Sequence, residues 1–414
     1  MLILPYYHWR LVTIQPYVKR HAGETLCIML ITASSGGSTT LLAPMLREQG
    51  KDPLAIGALV GVPAVMALLI RVPGGLLYSR ERMRILLVGA LSLSALAYVL
   101  YPLTPNPGLL VLIGAVYGTG FSISTTVNLA STVDSIGPHE HRGKVMAMYA
   151  AGMSFGYAIG GFSSGSAGDA FGYRRAFVLM ALICLLGMVP AVAPIEFPAA
   201  DEAPRPRSSA FRRAQNLGVV LMDPVVTFMV LGAFFLNVFL TQFNTFMPLT
   251  LLPLGLTLAE VGFLRGLWSL TNAFGRPFAG AVLSLMDNRR TQNLTLALQA
   301  GLLMLFALTL PFALYLPIIV TAAFCRAVCY VANTVVLAEI DPAKVSRGVA
   351  SGILNAASDL GNIAGPVTGG MIAQAAGLQR FWLIAPPLYL CIYFGLQLSM
   401  RKRATSVQAA SAAV

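Results

Sequence analysis

Charge is the scarcest property of this chain. Only 11% of its residues are Asp, Glu, Lys or Arg, where an ordinary soluble domain carries roughly 25%. Together with 57% hydrophobic residues and a mean hydropathy of +0.74, that scarcity excludes a soluble globular protein. It leaves a polytopic membrane protein whose first partner is the lipid bilayer. Acids are rarer still, 16 against 28 bases, for a net charge of +12. The bases are scattered in short segments between apolar runs with no interleaved aromatics, so the excess excludes a nucleic-acid partner and reads as membrane topology.

Cysteine is sparse as well. Cys27, Cys184, Cys325, Cys329 and Cys391 all fall within apolar runs; an odd number so placed excludes a disulfide framework and suggests small core side chains. No ATP motor is encoded, because the near match Gly137 to Lys144 has one residue too many between its glycines and is followed by Val145. His139-Glu140-His141 lacks the spacing of a zinc helix and reads as a solvated loop. With neither nucleophile elbow nor dinucleotide fingerprint, no enzyme, metal or cofactor is expected. Residues 1–23 are too broken for a signal peptide and read as an interfacial or loosely ordered tail.

What is present is a series of twelve apolar segments, at 25–46, 54–77, 84–103, 108–133, 144–167, 174–194, 225–250, 258–283, 291–311, 314–337, 348–372 and 380–400. An even count puts both termini on one side. The bases choose which: 19 fall on the terminus side, while only Arg47, Lys51, Arg174, Arg175 and Arg380 fall opposite. The termini are therefore expected to be cytoplasmic, in an inner membrane. The last four bases, Arg71, Arg265, Arg276 and Arg326, lie inside spans.

At a fixed offset of 205 residues, Gly50, Gly57, Gly61, Arg71, Gly75 and Ser79 meet Gly255, Gly262, Gly266, Arg276, Gly280 and Ser284, and further on Arg142, Gly156, Gly160, Gly165 and Gly172 meet Arg347, Gly361, Gly365, Gly370 and Gly377. No gap is needed, which marks an ancient duplication. The fold class that follows is all-α, with twelve transmembrane helices in two six-helix bundles related by a pseudo-two-fold axis along the membrane normal. The division runs 1–24 (tail), 25–194 (first bundle), 195–223 (a Pro- and Arg-rich cytoplasmic linker), 224–400 (second bundle) and 401–414 (tail).

One acid stands out: Asp359, at the head of SDLGNIAGPVTGG. At ~1.5 Å per residue it lies near mid-bilayer, where an unpaired charge costs ~2.5–3.5 kcal/mol or more. It needs a partner.

Twelve spans arranged 6 + 6 about a basic loop resemble the major facilitator superfamily over nearly the whole chain. The loop 2–3 signature of that family is similar to Arg71 through Arg84, including Gly75, Arg80 and Arg84, but Ser79 stands where the family has aspartate, and Ser284 repeats the change beside Gly280. The resemblance implies a gate latched through charge contacts, here weakened or replaced, with Asp134, Arg142, Glu339 and Arg347 as further gate candidates. The GxxxGPxxGG pattern of the antiporter branch is complete in span 11 (Gly361, Gly365, Pro366, Gly369 and Gly370) and degraded in span 5 (Gly156, Gly160, Gly165). The span-4 arginine tied to proton coupling is missing, since its position is Gly114.

In that family span 10 lines the central cavity beside span 11, which makes Arg326 the candidate partner of Asp359. The pair either couples protons, meets substrate or merely orients two helices. Arg265 either faces the cavity or snorkels outward. Spans 1, 4, 7 and 10 enclose the substrate path by the same analogy, so Ser35, Asn128, Asn237, Thr241, Gln242, Tyr330 and Asn333 are candidates for contact with a sugar-like or amphipathic solute, Asn237 and Gln242 foremost.

The function implied is secondary active transport of a small-molecule substrate by alternating access, in a monomer, with export linked to protons as the leading form. Two alternatives stand beside it. One is uptake or exchange of an organic anion through the intramembrane arginines; the other is a transport-dead sensor or assembly factor.

Overall fold

The structure, a computed structural model, describes residues 15–137, 140–195, 197, 224–338 and 347–412. Among the described residues, eight helical stretches are long and apolar enough to cross a membrane, one of them, Arg142–Val192, running across a break at Gly172. In chain order the helices are α1 (Gln15–Glu48), α2 (Pro53–Leu77), α3 (Met83–Leu100) and α4 (Pro107–Ser135). The two arms of Arg142–Leu186 on either side of Gly172 are α5 and α6. The second bundle holds α7 (Pro224–Leu251), α8 (Leu258–Leu283), α9 (Asn288–Met304), α10 (Phe312–Ala338), α11 (Arg347–Ala376) and α12 (Leu378–Ala412).

Local chemistry sets the boundaries. Asp52 caps α2 by accepting the Ala55 amide at 2.7 Å, with Pro53 as the first helical residue. Thr257 and Glu260 form a capping box at the start of α8. Three boundaries differ from expectation, the first being that α1 begins at Gln15, inside the stretch 1–24 expected as a tail. Span 9 was expected to reach 311, yet α9 stops at Met304, a tight turn over Leu305–Ala307 follows and the backbone is extended at Leu308. Span 12 was expected to end at 400, whereas α12 continues through Arg401, Lys402 and Arg403 to Ala412.

The duplication is written into the backbone. The four positive-φ residues described are glycines, and they form two pairs 205 residues apart: Gly50 (77°) with Gly255 (96°), and Gly172 (76°) with Gly377 (85°). Each is a turn that a side chain would strain.

Large apolar side chains such as Leu69, Leu112 and Leu182 point outward, as a lipid-facing surface requires, while serines and threonines are turned inward. Cys27, Cys184, Cys325 and Cys329 are buried free thiols; Cys391, expected in the core, lies exposed on α12. The glycine faces work in two directions. Gly156 and Gly160 of α5 press on α1 at Met29, Thr32 and Ala33, within one half, while Gly161 and Gly165 press on α8 in the other. Likewise Gly361 and Gly365 of α11 press on α7 at Phe234, Val238 and Thr241, while the Pro366 carbonyl and Gly370 meet α2 at Gly57 and Pro53.

Candidate functional site

A cavity of about 600 Å³ lies between the halves, a size suited to a drug-sized organic solute. One wall is a single face of α2, formed by Val60, Pro63, Ala64, Ala67 and Arg71. Across from it α8 presents Arg265, Trp268, Ser269, Asn272 and Arg276, each 205 residues after its counterpart on α2. The two faces are the same surface of the repeat with different chemistry: nearly all apolar on α2, polar and cationic on α8.

The charges in the wall are Arg71, Arg265, Arg276, Arg326 and Asp359. Asp359 pairs with Arg71, whose Nη1 donates to its Oδ2 at 2.7 Å. The expected partnership with Arg326 is thus overturned, and the reason is reach: Arg326 is turned toward α7, where its Nη1 donates to the Leu236 carbonyl at 2.8 Å. Arg265 does not snorkel outward. It is 7% exposed and its Nη1 meets the Asn244 carbonyl at 3.5 Å. Arg276 lies over the Tyr330 ring at 5.1 Å. The Nε atoms of Arg276 and Arg326 are buried without a hydrogen-bond partner. Among the described residues, none of Arg265, Arg276 and Arg326 forms an ion pair.

Of the polar side chains expected on the substrate path, Ser35, Thr241 and Tyr330 line the cavity, and Ser35 shares a 2.7 Å hydrogen bond with the Tyr117 hydroxyl. Four others serve helix packing instead. Gln242 donates to the Gly365 carbonyl at 3.4 Å and Asn237 to the Ala233 carbonyl at 2.8 Å, so the two residues favoured from sequence face α11 and their own helix. Asn128 is buried away from the cavity, and Asn333 is buried beside Met229 and Gln292. The span-4 position without arginine, Gly114, is taken up by packing: a Cβ there would lie 3.2 Å from Val62.

The halves touch on the side away from the termini. Gly161 meets Gly262 and Gly266 there, and Gly370 meets Pro53 and Leu54. Asp169 of α5 reinforces that contact by accepting the Leu258 amide at 3.0 Å and the Ala259 amide at 2.7 Å, capping the N-terminus of α8 from the opposite half. Toward the termini, a Cβ at Gly143, Gly280 or Gly352 meets nothing. The cavity reaches Leu129 and Met146, close to the terminus-side ends of α4 and α5. It therefore opens on that side.

The terminus-side gate candidates are arranged within single halves. Arg80 lies 3.8 Å from Asp134, which also accepts the Tyr78 hydroxyl at 3.2 Å. Ser79 accepts the Arg82 amide and Ser284 donates to the Ala281 carbonyl, so both serines finish their own turns. Gly75 approaches Thr126 of α4, and Arg84 and Arg142 are exposed. Glu339 and the side chain of Arg347 lie outside the described residues, as does most of the 195–223 linker. Glu140, expected in a solvated loop, instead ties the loop between α4 and α5 to α1: it accepts from Arg20 at 3.2 Å and the Gly137 amide at 2.8 Å and meets His21 at 3.1 Å. Burial pushes its carboxyl up, but the Gly137 amide, His21 and Arg20 together hold it below the usual range.

Sequence reasoning missed Arg71 as the partner of Asp359, and missed Arg276 and Asp169 as site and contact residues. The signal for the two arginines was available, since both are duplicated charges inside apolar spans. Asp169 carried no such signal, because its amide partners are backbone atoms in another bundle.

The architecture recurs in solved structures. The chain is similar to the nucleoside transporter NupG (TM-score 0.76, 12% identity, covering 92% of this chain and 98% of that one). It is also similar to a bacterial homologue of the human lysosomal transporter Spinster in an inward-facing, occupied state (0.74, 17%, 94% and 97%) and to a D-xylose–proton symporter (0.71, 16%, 92% and 96%). At these identities the likeness is one of fold. No curated protein matches the chain by sequence. The sequence profile of the Major Facilitator Superfamily matches residues 25–344 and 254–412, and the chain is accordingly a multi-pass membrane transporter of that superfamily, not an enzyme.

Proposed function

We propose that this protein moves a small organic anion across the membrane by alternating access, with a proton bound at Asp359 as the coupling ion. The observation that carries the reading is the charge of the cavity: Arg265, Arg276 and Arg326 line it without a carboxylate partner, and Asp359 offsets Arg71 alone. Buried charge in a membrane protein is costly unless paired, and it marks a substrate or ion path. An anion neutralises this wall; a cation adds to its cost. The sugar-like reading loses support, because Asn237 and Gln242 are engaged in packing.

Proton linkage is supported by the position of Asp359. It sits in the cavity wall and bridges the halves through Arg71. Protonation removes the charge that holds Arg71, so the seam loosens in step with proton binding. Export is the direction suggested by the complete glycine-proline pattern of α11, which resembles the antiporter branch, and cytoplasmic termini would place the open mouth of the cavity toward the cell interior. The wide, charged cavity weighs against a transport-dead sensor.

The experiment is flux in proteoliposomes loaded with organic anions, neutral solutes or cations, with and without a pH gradient. Anion flux enhanced by the gradient is the expected result. Asp359→Asn should abolish gradient-driven accumulation and leave anion exchange intact. Selective movement of a cation would sink the anion reading, and unchanged gradient-driven transport by Asp359→Asn would sink the coupling.

A further inference from the structure

The repeat provides two arginines at equivalent points, and only one of them has an acid. Arg71 on α2 receives Asp359 from α11 at 2.7 Å. Its mate Arg276 on α8 faces the other seam, where the position equivalent to Asp359 is Ser154 on α5. Ser154 and Arg276 both line the cavity, and the two helices pack together beside them, with the rings of Phe155 and Phe274 5.8 Å apart. The second seam is therefore built like the first with the carboxylate left out.

We propose that the carboxylate of an amphipathic substrate occupies, on Arg276, the place that Asp359 occupies on Arg71. This rests on the anion reading above and narrows it. A guanidinium presents a planar fork matched to a carboxylate, and Arg71 with Asp359 shows this repeat position holding one. Arg276 is braced over Tyr330. One helical turn before that tyrosine stands Arg326, 8% exposed, and both arginines keep a buried Nε unpartnered.

The remainder of the cavity describes the rest of the molecule. The first half contributes the apolar face of α2 together with Tyr117 and Tyr157, and its one cation is already neutralised. All unpaired charge thus belongs to the second half. A solute that satisfies both walls carries its acid at one end and an aryl or alkyl body at the other. Each substrate also becomes a temporary bridge at the second seam, linking α8 to the half that holds α5 as Asp359 links α11 to α2.

The test uses the purified full-length protein and three probes: 3-phenylpropionate, its neutral analogue 3-phenylpropanol, and inorganic phosphate. Binding is read by thermal shift and tryptophan fluorescence, and movement by counterflow in proteoliposomes. The expected result is that phenylpropionate binds and is moved, while phenylpropanol and phosphate bind at least tenfold more weakly. Arg276→Gln should weaken phenylpropionate binding at least tenfold, and Arg276→Lys, which keeps charge but loses the fork, should fall between.

Ser154→Asp is the sharper variant. It supplies the missing internal acid, so it should abolish phenylpropionate binding without lowering the melting temperature of the ligand-free protein. Should Ser154→Asp fail to fold, the two Arg276 variants decide. If Arg276→Gln and any folded Ser154→Asp protein bind phenylpropionate within twofold of the wild type, the proposal is overturned while anion transport stands. Binding of phosphate in preference to any carboxylate overturns the carboxylate assignment alone. Movement of neutral or cationic solutes with no anion bound overturns both.

Discussion

Arg71 and Asp359, 288 residues apart in the chain, meet at 2.7 Å across the seam between the two halves, while their repeat mates Arg276 and Ser154 flank the other seam with no carboxylate between them. The ion pair ties α2 to α11 at the cavity wall. The side chain of its acid is 8% exposed and that of its base 38%, so water reaches the base more freely than the acid.

Removing either member of this pair leaves the other uncompensated. Arg71→Gln and Asp359→Asn should each reduce thermal stability, with the solvent access of Arg71 keeping the loss below the ~3–5 kcal/mol of a fully buried broken pair. The double variant should lose less than the sum of the singles, with a coupling of about 0.5–3 kcal/mol. Additive losses in a double-mutant cycle would show that the contact carries no energy.

Asp169 holds the halves together on the side away from the termini through the Leu258 and Ala259 amides. Hydrogen bonds to a charged group contribute about 1.5–3 kcal/mol each, and Asp169→Asn weakens both. Conformers should shift roughly tenfold or more toward the state closed at the termini, read by spin-label distances across each face. At the equivalent positions of the repeat, Gln374 stands for Asp169 and Pro53, which has no amide to donate, stands for Leu258, so Gln374→Ala should leave the distribution unchanged.

Glycines on the two faces should respond oppositely to enlargement. A side chain at Gly262 collides with the backbone of Gly161 and Gly165, whereas one at Gly280 meets open space. Gly262→Leu should prevent closure on the side away from the termini and abolish transport. Gly280→Leu should fold normally in the conformation described. Its cost should appear in the step that closes the terminus side, measured as slowed counterflow with unchanged thermal stability.

Glu140 joins the start of α1 to the loop before α5 through Arg20, His21 and the Gly137 amide. Its carboxyl is held below the usual range. The stabilisation is therefore complete above the ordinary glutamate value and is lost as pH falls through the lowered one. At pH 7, Glu140→Gln should lower the melting temperature; in strong acid, variant and wild type should converge. A gap that persists in acid would mean the contribution is packing. Glu24 and His21 lie beside it, so the comparison is made between variants at each pH.

Much of the architecture was legible in the sequence. Span count, duplication and the inward placement of charge all follow from local quantities: the length of an apolar run, the spacing of glycines, and the presence of an arginine where hydrocarbon would reject it. The offset of 205 residues pairs Gly50 with Gly255, and the structure gives both a positive φ. The gate serines and the vacant Gly114 position were visible too, although what fills them was not.

The partners were not legible. Rise per residue gives a side chain its depth in the membrane, so Asp359 and Arg326 could be placed at similar heights, but depth says nothing of azimuth. Which arginine Asp359 meets depends on how α11 is rotated and on which helix of the opposite half lies against it. The same holds for Asn237 and Gln242, polar at cavity height yet turned toward α11. Composition and spacing settle which charges must be shielded from lipid; only the packing of the two bundles against each other settles which charge shields which, because that contact is made between helices the chain keeps hundreds of residues apart.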